Sequence, residues 1–164
     1  MKATASSLLS LLLIGTIFPA PVLTCTNVLV TPGASADGNP MIAYNADSGS
    51  LMGTLYHYPA STTGDGSGSG ARMRKVFNWD TGAYLGEIPE AKETYNVVGN
   101  TNEHGPVIAE TTFGGLEILD PKYQPDAKID YGSLIWITLQ RTKTAREAIQ
   151  TMADLVDEHG YASE

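Results

Sequence analysis

Residues 130–160 read DYGSLIWITLQRTKTAREAIQTMADLVDEHG, and they decide whether this chain is all strand or a mixture of strand and helix. Thr144 with Glu147 three residues later forms a capping box, a pattern that satisfies orphan N–H groups at a helix start. Ala148, Ile149, Met152, Leu155 and Val156 follow at helical spacing, and Gly160 stands at the expected stop. The spacing predicts a helix with one apolar face, to be laid on a sheet. Upstream, Leu134-Ile135-Trp136-Ile137 is too short an apolar run for periodicity to separate a buried strand from a buried helix. With Asp130 as its N-cap, the stretch 131–140 is read as helix.

Towards the N-terminus the pattern changes to strands and turns. Residues 26–31 are β-rich and end at Pro32-Gly33; Gly38-Asn39-Pro40 marks a turn, and 41–45 reads as the antiparallel partner. Residues 54–58 form a third candidate strand. The stretch 61–71, STTGDGSGSGA, is a surface loop by composition, and without a Gly-Lys-Ser/Thr ending it is no phosphate-binding loop. Residues 95–99 and 106–112 read as strands joined through 100–105, a stretch of turn formers, and Phe113-Gly114-Gly115 breaks the second one. Strands first and helices afterwards predict an α+β layered domain.

Residues 1–24, MKATASSLLSLLLIGTIFPAPVLT, carry one lysine and an apolar run from Leu8 to Phe18. That run is well short of the roughly 20 residues needed to span a bilayer, so the segment reads as an export signal. Nothing later is long and apolar enough to span. The expected destination is outside the cytoplasm: periplasmic, cell-surface or secreted. Removing 24 of 164 residues leaves 140, enough for one domain with a core. The whole chain carries a net charge of −8. An acidic domain without a basic cluster is a poor partner for nucleic acid.

The only cysteine, Cys25, follows the leader directly. One cysteine makes no internal disulfide, and at the head of a mature chain it has two common uses. It can be acylated, tethering a non-catalytic surface or binding domain; Val22-Leu23-Thr24-Cys25 is near the pattern for lipid attachment. Alternatively it is a nucleophile. A free thiol is mostly protonated at neutral pH and needs a base, whereas an α-amine with a reference pKa of about 7.7–8.0 is substantially neutral there. Cleavage before Cys25 would therefore create nucleophile and base on one residue. Acylating the amine destroys that base, so the two fates exclude each other. If 26–31 and 41–45 pair, Asp47 returns beside Cys25 as a candidate partner for the amine; the plain alternative is that Asp47-Ser48-Gly49 is a turn.

Cys25-Thr26-Asn27-Val28-Leu29-Val30, then Asp37-Gly38, then residues 41–48 (MIAYNADS) resemble the start of the secernin-like dipeptidase family, cysteine-type N-terminal-nucleophile (Ntn) hydrolases. Residues 102–113, NEHGPVIAETTF, resemble that family's second motif, and 130–149 is similar as well. The resemblance implies an αββα sandwich, of which this chain would be the N-terminal portion, with residues beyond Glu164 completing the site. The 164 residues alone are then expected to be inactive. It further implies hydrolysis of amide bonds in small peptides through a Cys25 thioester, with no cofactor. Asp47 matches the acidic residue that positions the nucleophile. Related bile-acid and penicillin amidases carry an oxyanion-hole asparagine whose place falls here at Thr112. Many relatives have arginine three residues before the aspartate, where this chain has Tyr44, a hydrogen-bond donor without charge. Asn102 is a further candidate near the substrate, and a homo-oligomer is left open.

His57, His104 and His159 are far apart and lack metal-ligand spacing, so no metal site is expected. Asn102 and Glu103 also fit a turn. Tyr56, Tyr58, Trp79 and Tyr84 are expected to fill a core or line a cleft.

Overall fold

The computed structural model describes residues 25–47, 53–62, 72–111 and 115–163. The leader, most of the 61–71 loop and Thr112 lie outside the described residues. Among the described residues there are seven strands: β1 (Thr26–Val30), β2 (Met41–Asn45), β3 (His57–Tyr58), β4 (Met73–Phe77), β5 (Tyr84–Pro89), β6 (Val97–Val98) and β7 (Thr101–Asn102). Two helices follow, α1 (Tyr131–Leu139) and α2 (Ala145–His159). Strand and helix thus mix as α+β, with the strands in three small antiparallel sheets: β1-β2, β3-β6-β7 and β4-β5.

The β1–β2 hairpin forms where the sequence places it, with Thr26 opposite Asn45 and Asn27 opposite Tyr44. Its connection is tightened by Asp37, whose carboxylate accepts from the Ser35 hydroxyl at 2.6 Å and the Asn39 backbone N–H at 3.1 Å. These bonds favour the charged carboxylate and hold its pKa down at about 2, the Ser35 bond contributing most. Elsewhere the expected strands shrink or move. The 54–58 and 95–99 strands contract to β3 and β6. Among the described residues 106–111 no regular strand forms; Val107 makes an isolated bridge to Thr101, and Thr112 lies outside the described residues. Part of the expected loop becomes β7 instead, because Gly99, at φ +55°, and Asn100 make a tight two-residue turn.

The β4–β5 hairpin went unread in the sequence, yet it supplies much of the core. Val76, Ile88 and Val97 are fully buried against Ile129 and the α1 residues Leu134, Ile135, Trp136, Ile137 and Leu139. Burying each such aliphatic side chain stabilises the fold by about 1.5–3 kcal/mol. Helix α1 is apolar on nearly all sides and buried from Gly132 through Leu139, as a core helix must be. Asp130 caps it, accepting from the Ser133 backbone N–H at 2.8 Å while Ser133 Oγ accepts from the Asp130 N–H at 3.0 Å. The Asp130 carboxylate also accepts from the Trp79 N–H, tying the β4–β5 turn to the helix start.

Helix α2 has the expected Thr144–Glu147 capping box and ends at Gly160, at φ +71°. Its main packing partner is α1 rather than a sheet, through Ala148 and Leu155, and Ile149 points to solvent. The apolar face is therefore narrower than the spacing predicts. No helix among the described residues is long and apolar enough to cross a membrane.

Candidate active site

Side chains alternate across a strand, so Cys25 and Asn27 share one face of β1, and the register puts Tyr44 of β2 on that face. Glu110 docks there. Its segment leaves β7 and is held by Asn100, whose carbonyl accepts from the Ile108 N–H at 3.0 Å and whose side-chain amide donates to the Ile108 carbonyl at 2.6 Å. Asn27 completes the placement, donating from Nδ2 to the Glu110 carbonyl at 2.6 Å. The Glu110 carboxylate then lies on the thiol.

Cys25 Sγ donates to Glu110 Oε1 at 2.7 Å, and the Tyr44 hydroxyl donates to the same oxygen at 2.7 Å. Tyr44 Oη and Sγ are 3.8 Å apart. Cys25 is half-buried. Burial is the largest cause raising the Tyr44 pKa far above the usual phenol range, followed by its bond to Glu110. Tyr44 thus stays a neutral donor beside the sulfur. The side-chain oxygen of Asn27 is a buried acceptor with no hydrogen-bond partner among the described residues.

Asp47 stands on the other face. Its carboxylate accepts from the Thr26 hydroxyl at 3.0 Å and from the Asn45 side-chain amide. It is brought to the residue next to Cys25, but its described bonds run away from the thiol's face. Asn102 is buried and distant in role: Nδ2 donates to the Leu139 and Thr142 carbonyls at 2.6 and 2.7 Å, and Oδ1 accepts from the His104 N–H at 2.9 Å. It fastens the β7 turn to the end of α1. Cys25 and Tyr44 are therefore brought together, Asp47 lies behind them, and Asn102 lies elsewhere.

Two site residues escaped the sequence, Glu110 and Asn27. Both stand inside the stretches that carry the family resemblance, but what joins them is a contact between segments 83 residues apart. The histidines are occupied elsewhere: His57 pairs with Asn96 at 2.7 Å and His104 sits edge-on to Tyr95. Among the described residues no group of three or more His, Cys, Asp or Glu side chains could hold a metal. Tyr58 stacks on Trp136 and Tyr56 packs against Trp79. Tyr84 is exposed.

A half-buried thiol at the head of a hairpin, with a carboxylate in hydrogen-bond reach to accept its proton, has the chemistry of a potential nucleophile. The model of peptidase family C69 matches residues 24–164, beginning one residue before Cys25, and the chain belongs to that family. C69 comprises cysteine peptidases, dipeptidases among them, so this is a peptide-bond hydrolase. Neither a characterised protein nor a solved structure matches the chain closely enough to count as a relative.

Proposed function

We propose that this protein is an exported cysteine dipeptidase of the Ntn type, acting on small peptides through Cys25. The observation that carries the proposal is the Cys25 thiol at the start of the family match, lodged on Glu110 and Tyr44. In the chain as encoded, the Cys25 nitrogen is bonded to Thr24. Loss of residues 1–24 frees it as an α-amine, which takes the thiol proton as sulfur attacks the scissile carbonyl. The carbonyl π electrons move onto oxygen. Collapse of that oxyanion expels the peptide amine, which receives the proton, and leaves a thioester. Water, deprotonated by the same amine, hydrolyses the thioester and restores the thiol.

Asp47 is the group proposed to orient the amine; its hold on Thr26, one residue along, supports that position. Thr112 or a backbone N–H near it is proposed to bind the oxyanion, and the docking of Glu110 on the thiol supports this by bringing the chain to within two residues of Thr112. Full αββα layering belongs to the same proposal.

The test is intact mass of the exported protein combined with dipeptide turnover by the full-length enzyme. A free Cys25 amine and a loss of at least about 10³-fold in kcat for Cys25→Ala, with an unchanged melting curve, are expected. A diacylglyceryl adduct on Cys25, or unaltered turnover in Cys25→Ala, would overturn the proposal.

A further inference from the structure

We infer that Glu110 selects substrates with a free amino terminus, by pairing with the α-ammonium of the residue whose carbonyl Cys25 attacks. This rests on the reading of Cys25 as nucleophile and adds the group that reads the substrate.

The geometry is set by short distances. Attack requires the scissile carbon at about 3–3.5 Å from sulfur. In a peptide with a free amino terminus, the first nitrogen lies two bonds from that carbon, roughly 2.5 Å by standard backbone dimensions. Glu110 Oε1 lies 2.7 Å from Sγ. A charge-assisted ammonium–carboxylate contact needs about 2.7–2.9 Å. These four separations close into one small ring of atoms. The carboxylate that holds the thiol in the free protein can therefore hold the ammonium in the complex. An N-acylated substrate offers a neutral, bulkier amide at the same place. It would bury the carboxylate's charge without supplying a cation to match it, which is how polar sites reject near-analogues.

The surroundings favour a cation at this spot. Glu110 carries its charge among three tyrosines, helping to oppose ionisation of Tyr44, Tyr131 and Tyr161, with burial the larger cause at each. Asp130 acts with it on Tyr131 and Tyr161, and Asp80 accepts from the Tyr131 hydroxyl at 2.7 Å. On the thiol's own face, Asn27 fixes the Glu110 backbone by donating from Nδ2 to its carbonyl at 2.6 Å, so the carboxylate is held in place for a cation. Tyr44, donating to Oε1 on this face, keeps the carboxylate aimed at the sulfur whichever cation or thiol it meets.

Affinity labelling tests the inference without requiring turnover. The full chain is treated with alanine chloromethyl ketone, with its N-acetyl counterpart and with iodoacetamide, and the Cys25 adduct is followed by peptide mass spectrometry. Each ketone rate is divided by that probe's rate with free cysteine. The wild-type protein should favour the free-amine ketone by about tenfold or more, and Glu110→Gln should bring the ratio close to one. Glu110→Asp, which keeps the charge on a shorter stem, should retain part of the preference and serves if Glu110→Gln does not fold. A wild-type ratio near one, or an unchanged ratio in both variants, overturns the role of Glu110. Those outcomes leave the nucleophile untouched, because iodoacetamide labelling and the Cys25→Ala turnover test report on Cys25 separately.

Discussion

Asn102 illustrates how one side chain can look chemical in sequence and be structural in the fold. Turn residues near a nucleophile are natural candidates for substrate contact, yet this amide spends both donors on the Leu139 and Thr142 carbonyls and its oxygen on the His104 N–H. All of this occurs in a buried position. Removing a partner from buried polar groups costs more than the hydrogen bond gains, because the groups left behind have lost water as well. Asn102→Ala should therefore destabilise the fold by about 2–4 kcal/mol, read as a lower urea midpoint with little change in slope. The rate of Cys25 alkylation by iodoacetamide in the folded variant should stay within about twofold of wild type. A large drop in alkylation at unaltered stability would return Asn102 to the active site.

Among the elements, α2 was legible because every signal for it is local: a capping box, apolar residues on one side and a stopping glycine, all within one helix. The β1–β2 hairpin was legible for the same reason. The β4–β5 hairpin was not, since its strands carry Arg74, Lys75 and Glu87 and bury fully only Val76 and Ile88, so no clean alternation appears. Its turn also holds Trp79, which packs on the start of α1 rather than marking a turn. Glu110 was illegible for a related reason, as its role exists only once its segment docks on β1 and β2. The joint between turn and helix makes a sharp prediction at Gly132, where an added Cβ would run into the Trp79 ring. Alanine is ordinarily better than glycine in a helix by about 1 kcal/mol. Here overpacking should win, so Gly132→Ala is expected to cost about 1–3 kcal/mol net. In a Trp79→Gly background, which removes the clashing Cβ as well as the ring, the penalty should vanish and the helix preference reappear; a double-mutant cycle in urea that shows simple additivity would refute the clash.

Over the whole molecule, the tyrosines set an alkaline limit to folding. Tyr44, Tyr58, Tyr131 and Tyr161 all have raised pKa values with burial as the largest cause, and Tyr58 is pushed up to about 12. Three of the four also feel the negative charge of Glu110. A phenol whose pKa is higher folded than unfolded favours the folded state fully while both forms are protonated. As pH climbs past the unfolded value of about 10, the unfolded chain loses its protons first and stability falls until the folded value is reached. Stability should thus be level through neutral pH on this account and decline between about pH 10 and pH 12. Lysines lose charge over the same range, so the slope alone does not identify its source. Comparison with Tyr58→Phe does, because phenylalanine keeps the stack on Trp136 and removes the ionisable group. The variant's urea midpoint should fall less steeply with alkaline pH than the wild type's, and tyrosinate absorbance should lose a component titrating near 12. Parallel slopes for the two proteins would assign the alkaline loss to the lysines instead.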